Sequence, residues 1–473
     1  MSKLNKGKGF TTSERYLANL CEKSFLSLWS YPSIFRDQGK SGNDSSSDGK
    51  EVTDSIVIFG DHVIIFSDKD CQFIDYGDPL LNWKRWYKKA ILKSAEQVWG
   101  AERWIKTHPD RLFVDNKCQH RLPFEVPPAD RIKVHRIVVA HNISDECKRV
   151  HKGSGSLRID TSIIGKAHTE EQNGLEVQSC VIGMIDQTRG YVHVLDDVTL
   201  EVLLKNLDTI TDFIQYLERK EKLVLHRGIR VVAAGEEDLL AYYLKDIDEE
   251  EKHEFVLPKG IDTFQVREGL WNEFSNSRQY IRQQEEDEKS YAWDRLIEFV
   301  TGHFTRNTMY FSTDPSFKTN ELQLRLLAQE SRLGRRILAD SLFGLAVKSK
   351  QISAPYFTRV LLSDTNRNIC YVFFLLDLSV SPDYATYRNM RKSFLESISK
   401  IVKLKYLGNR KMIVGIASES GGIDKINSFD VLTYDTNNWE EGEREHIIEL
   451  HQKLPFFKDT QMFSGSDSEY PED

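Results

Sequence analysis

Residues 51–69, EVTDSIVIFGDHVIIFSDK, leave little freedom in local structure. Ser55–Phe59 and His62–Phe66 are short apolar, β-branched runs, and Gly60-Asp61 between them is a two-residue turn signal. The stretch reads as a hairpin of two buried strands. Its polar residues gather at one end: Glu51 and Asp54 lead in, and Ser67, Asp68, Lys69 and Asp70 lead out. The N-terminal third is read as built around this hairpin.

Composition bounds the rest. At 473 residues the chain exceeds one ordinary core, so two or three domains are expected. Hydrophobic residues at 40% and charged residues at 29% place it among globular chains. There is no run of about 18 apolar residues, so no transmembrane helix is expected and no membrane partner. The opening MSKLNKGKGF has no apolar segment of the secretory kind. Six scattered cysteines without a C-x-x-C pair argue against a cysteine zinc site and a disulfide framework, and suit a reducing cytoplasm. With a net charge of −8, any nucleic-acid binding needs a local basic patch.

Along the chain, a helix is expected from Thr12 or Ser13, with Leu17, Leu20, Phe25 and Leu28 facing the core. Glu14, seven residues before Cys21, falls on or near that stripe; a first-turn Glu favoured by the helix dipole is the plainer account. Trp29–Arg36 reads as a short strand and Gln38–Lys50 as a polar loop. Asn82–Lys106 is expected to be one long helix, basic and carrying four of the eight tryptophans. Lysines among aromatics suit a phosphate surface, and equally suit a helix that buries its tryptophans and solvates its lysines. Lys93 and Gln97 are read as facing inward.

Further on, Ile132–Ala140, Val177–Ile185 and Gly190–Leu195 read as strands, and Thr199–Glu221 as one helix. The glycine loop at 151–156, HKGSGS, matches no phosphate loop or nucleophile elbow. His135, His141 and His193 are read as structural. Helices are expected at Ser277–Phe299 and Asn320–Leu345. Strands are expected at Tyr356–Leu362, Asn368–Leu376 and Lys411–Ala417. Tyr384–Tyr406 is a basic amphipathic helix, a second anion surface or a solvated face. The ending SGSDSEYPED is an acidic tail. The expected domains are 1–120, 121–300 and 301–473, the last two α+β.

The hairpin's ends could carry chemistry. Ser67 and Lys69 share one side of their strand, Asp68 points to the other, and the turn brings Asp54 back beside them. Carboxylates that hold Mg²⁺ and a lysine that steadies developing charge are what phosphodiester hydrolysis needs.

This constellation resembles the restriction-endonuclease-like PD-(D/E)XK nucleases, in their nuclease-related-domain and Mrr-like branches. The matching residues are Glu14, then EVTD at 51–54, SDK at 67–69 and KSAEQ at 93–97, within about residues 10–115. The resemblance implies an α/β domain with a mixed central sheet flanked by helices. It implies a nuclease using Mg²⁺ or Mn²⁺, with Asp54, Lys69, Glu14 and Gln97 catalytic. Asp54, Glu51 and Asp68 would hold metal, and Lys84, Lys88, Lys89 and Lys93 would contact nucleic acid, DNA before RNA. A role in defence against foreign DNA follows by analogy. The sequence departs from the pattern at Ser67, which stands where the family carries an acid. An inactive descendant that binds nucleic acid or acts as a scaffold is therefore the alternative. Self-association stays open.

Overall fold

The computed structural model describes residues 6–7, 9–37, 48–172, 174–246, 252–306, 308, 317–405, 411–437, 439–458 and 468–470. The polar loop at 38–47, the acidic centre at 247–251 and most of the C-terminal tail lie outside them. The chain divides into two compact units, Ser2–Tyr280 and Ile281–Asp473. Both are mixed α/β, with sheets flanked by helices. No described helix is long and apolar enough to cross a membrane.

The first unit opens with α1 (Thr12–Trp29), β1 (Ser30–Arg36), β2 (Lys50–Phe59), β3 (His62–Lys69), α2 (Pro79–Trp86), α3 (Lys93–Thr107) and β4 (Lys133–Ala140). It continues with α4 (Ser144–His151), β5 (Arg158–Ile164), β6 (Val181–Met184), β7 (Val192–Leu195), α5 (Asp197–Asn206) and α6 (Ile210–Val224). It closes with β8 (Arg230–Ala233), α7 (Glu236–Lys245), β9 (Thr263–Val266) and α8 (Leu270–Ser275).

The hairpin is the centre of a five-stranded sheet in the order β1-β2-β3-β4-β7. β2 and β3 pair from Phe59↔His62 to Ser55↔Phe66, closed by the expected Gly60-Asp61 turn with Gly60 at a φ of 60°. β1 adds antiparallel to β2, while β4 and β7 add parallel beyond β3. The sheet thus recruits strands well past residue 120, because β3 is buried on both edges and both faces. A smaller sheet, β6-β5-β8-β9, belongs to the same unit.

Alternation sorts the hairpin's side chains. Val52, Ile56, Ile58, Val63 and Ile65 join the core under α2 and α3. Phe59 and Phe66 face α1, against Trp29 and Phe25. The helix starts at Thr12 as expected, and its cap is Thr11 rather than Thr12 or Ser13: the Thr11 hydroxyl accepts the Glu14 N–H.

The long basic helix is interrupted. Tyr87–Leu92 form a π-helical turn between α2 and α3. A π turn inserts one residue into the helical register, so seven-residue arithmetic from Trp86 fails beyond it. Lys93 is exposed rather than inward, and Gln97 is half-buried. All four tryptophans are core residues. Each indole N–H finds a carbonyl: Trp83 with His168, Trp86 with Cys71, Trp99 with Gly190 and Trp104 with Arg111. A buried Trp is stable once its one donor is satisfied, which accounts for the interleaving with lysines.

The second unit follows α9 (Arg278–Asp287) with α10 (Tyr291–Thr305), α11 (Phe317–Ala328), α12 (Arg332–Gln351), β10 (Tyr356–Leu362) and β11 (Ile369–Leu376). Then come α13 (Tyr384–Lys405), β12 (Met412–Glu419), β13 (Asp430–Asp435) and α14 (Glu443–Lys453). Its sheet runs β10-β11-β12-β13, with β11 and β12 parallel across the α13 crossover. Helices read as continuous break where a hydroxyl caps a new start. Thr209 accepts the Asp212 N–H ahead of α6, and Ser331 accepts the Gly334 N–H ahead of α12.

The basic helix α13 corrects its sequence reading. Arg388, Arg391 and Lys403 are buried, not solvated. Arg388 pairs with Asp430, Arg391 with Asp430 and Glu419, and Lys403 with Glu443. Half of the apparent anion surface is internal ion pairing.

Candidate functional site

Asp54 lies at the open end of the hairpin, on the face toward α3. Its carboxylate accepts the Asp68 backbone N–H at 2.6 Å and the Gln97 side-chain N–H at 3.4 Å. The Ser67 hydroxyl donates to the Gln97 carbonyl oxygen at 3.2 Å. Asp54 and Ser67 therefore meet through Gln97, which the strand spacing did not call for; that spacing called for Lys69 to join them, and no hydrogen bond or ion pair links Lys69 to either among the described residues. Lys69 has the parity of Ser67 and is half-buried at the last position of β3. Its ammonium has no ion pair or hydrogen bond among the described residues.

Four acids share one field here. Burial first, then the charges of Glu14 and Asp68, raise Asp54 to about 6 against the partial relief from the Asp68 N–H. Burial, then Asp54 and Glu14, raise Glu51 to about 7. Two carboxylate oxygens, Oε1 of Glu51 and Oδ2 of Asp68, are buried without a hydrogen-bond partner among the described residues. Unpaired buried acid oxygens beside other acids are costly, and a cation beyond the one already on Asp68 would satisfy them. Glu14 contributes from α1, where its Oε2 also accepts the Phe10 N–H at 2.6 Å and closes the helix cap.

One residue of this site was not legible as such in the sequence. His141, just past β4, holds Asp68 Oδ1 through Nε2 at 2.6 Å and Asp197 Oδ1 through Nδ1 at 2.7 Å. Burial pulls the imidazole down, but Asp197 and Asp68 outweigh it and lift His141 to about 10. It is an imidazolium bridging two carboxylates. The only hint was that β4 ends level with β3, since Lys69 pairs with Ala140.

Lys88, Lys89 and Lys93 are exposed and Lys84 half-buried along α2, the π turn and α3. They are available to a polyanion. The second unit holds a separate cavity of about 540 Å³, lined by residues that include Phe299, Tyr384, Arg388, Lys392 and Tyr434. Arg388 there is already neutralised by Asp430.

Comparison with protein-family models, with curated proteins and with solved structures finds no match for this chain. The geometry has to carry the functional reading alone.

Proposed function

We propose that the first unit is a metal-dependent nuclease that hydrolyses phosphodiester bonds, with DNA the favoured substrate. The observation that supports the reading is Asp54, held by the Asp68 N–H and Gln97, with unpartnered buried oxygens on Glu51 and Asp68 among the described residues; no three of these carboxylates come within 4.8 Å of one another. Asp54 would be the main ligand of Mg²⁺ or Mn²⁺, assisted by Glu51 and Asp68, with Glu14 adding negative charge. Mg²⁺ bound there would polarise the phosphate and acidify a water. Lys69 orients that water and stabilises charge developing on the phosphate. Gln97 holds Asp54 and Ser67 in register. Lys84, Lys88, Lys89 and Lys93 contact the phosphate backbone. The order of leading helix, antiparallel hairpin and following helix supports the same reading. A role in defence against foreign DNA is the biological setting we infer.

One observation favours a second reading. Ser67 stands where the resembled motif has its acid, and its hydroxyl is spent on Gln97. On that reading the unit binds nucleic acid without cutting it.

The test incubates the full chain with plasmid, single-stranded DNA and RNA, with and without Mg²⁺ or Mn²⁺. Metal-dependent cleavage lost in Asp54→Ala and Lys69→Ala supports the nuclease. No cleavage of any substrate sinks it, as does cleavage that survives both substitutions. Salt-sensitive, metal-independent binding that needs Lys84, Lys88 and Lys89 but not Asp54 supports the second reading.

A further inference from the structure

Three histidines stand side by side across the main sheet, away from the acid cluster. They sit on neighbouring strands: His62 begins β3, His135 lies in β4 and His193 in β7. His135 and His193 are 2% and 0% exposed, so water does not solvate them. Helix α6 covers this part of the sheet with two acids, Glu218 and Glu221. His135 Nδ1 lies 3.2 Å from Glu221 Oε1, and His193 Nε2 lies 3.0 Å from the same oxygen. His62 Nδ1 lies 3.1 Å from His135 Nε2, with the two rings stacked 5° from parallel.

We propose that His135, His193 and Glu221 form a binding site for one divalent transition-metal ion of the zinc class. Two imidazole nitrogens and one carboxylate oxygen are the donor set that such ions take. They come from three different elements, so the fold rather than a local turn brings them together. Their atoms lie within 4.8 Å of one another. With bonds of about 2.0–2.1 Å, tetrahedral ligands sit roughly 3.3–3.4 Å apart. The separations of 3.0 and 3.2 Å need to open by only a few tenths of an ångström.

His62 gives the site its orienting partner. A histidine that binds metal through one nitrogen usually donates a hydrogen bond from the other. With the ion on Nδ1 of His135, Nε2–H donates to His62 Nδ1, and no proton has to leave the three rings. The nearby cations are already matched. Lys220 pairs with Glu236, and Lys133 with Glu218 at 2.8 Å.

That last pairing also chooses between two overlapping sets. His62, His135 and Glu218 also converge, but Glu218 is committed to Lys133 and His62 is half-exposed. His135 belongs to both sets, and the buried one with Glu221 is the better cage. His193 Nδ1 has no partner among the described residues, so with the ion on Nε2 its N–H stays unsatisfied, a cost the site has to offset. The competing account is a plain His–Glu–His hydrogen-bond bridge. This site is independent of the acid cluster and of the nuclease reading.

The experiment strips the full chain with a chelator and titrates it with Co²⁺, following the visible bands of a low-coordinate nitrogen–oxygen complex, then displaces Co²⁺ with Zn²⁺. One equivalent is expected, with a higher melting midpoint on metal addition. His193→Gln and Glu221→Gln are expected to lose the bands. His62→Gln should keep them with affinity weakened about 10–100-fold. Asp54→Ala should keep them unchanged, which separates this ion from any Mg²⁺ at the acid cluster. Should the buried variants not fold, X-ray absorption of the Zn²⁺-loaded wild type decides, with scattering from two imidazoles expected. A folded wild type that takes up no stoichiometric Co²⁺ overturns the proposal, as do bands that persist in both His193→Gln and Glu221→Gln. Scattering from a different number of imidazoles overturns it too.

Discussion

The Asp54 carboxylate accepts the backbone N–H of Asp68 at 2.6 Å, which ties the entry of one hairpin strand to the exit of the other. The bond fixes where Asp54 points and places its charge beside Asp68, with Gln97 above it from α3. A carboxylate held in this way is rigid and short of positive charge. The first prediction concerns what that rigidity does. On the nuclease reading, Asp54→Asn and Lys69→Ala should each lower the initial rate of Mg²⁺-dependent plasmid cleavage by at least about 100-fold. Ser67→Ala leaves the rate near that of wild type, since its hydroxyl only supports Gln97.

Asp54 and Glu51 also make stability depend on pH. Their carboxyls lie at about 6 and about 7 in the folded chain, above ordinary values of 3.8 and 4.5. Between those limits the folded state binds more protons than the unfolded state, so their joint contribution falls as pH rises from about 4 to about 7. Denaturant midpoints of wild type minus Asp54→Asn, taken across that range, should decline with pH. Mg²⁺ added at pH 7 should recover part of the loss in wild type and less in the variant.

His141 runs on a different window. Lifted from 6.5 to about 10, it contributes stability that is complete below its ordinary value and lost as pH approaches 10. Replacing it with alanine leaves Asp68 buried and unpaired, at a cost of about 3–5 kcal/mol. Urea unfolding at pH 7 measures this, and an imidazole resonance titrating near 10 by NMR checks the window.

The basic helix separates into two sets with opposite behaviour. Trp83→Ala removes a fully buried ring and should cost about 3–5 kcal/mol. Lys88→Ala and Lys89→Ala should change stability by no more than about 0.5 kcal/mol. On nucleic acid the order reverses: each lysine lost from a phosphate contact weakens binding and reduces the salt slope by about 1. Binding isotherms at several salt concentrations read both.

In the second unit, Arg391 is fully buried between Asp430 and Glu419. Arg391→Ala strands the buried Glu419 carboxylate, while Asp430 keeps Arg388, and should destabilise the chain by about 3–5 kcal/mol, read as a loss in urea midpoint.

Much of the frame was written locally. The two apolar runs and the two-residue Gly60-Asp61 turn between them specify the hairpin, since the turn length fixes the register. The same pattern marks β11 and β12, and strand parity predicts that Asp54, Ser67 and Lys69 converge at one end of the hairpin. Identity and spacing also place the acids and Lys69 at one strand end. None of this depends on distant partners.

Other features needed the folded chain. The π turn in the basic helix leaves no composition signal, and it breaks the register that linked Trp86 to Lys93. Whether Arg388, Arg391 and Lys403 are solvated or buried depends on Asp430 and Glu443, which lie dozens of residues away. Likewise His141 and the His135–His193–Glu221 group exist only because β4, β7 and α6 pack onto β3. Periodicity fixes which face a side chain takes, while which charges meet on that face is set by strand order, and strand order is a property of the whole fold.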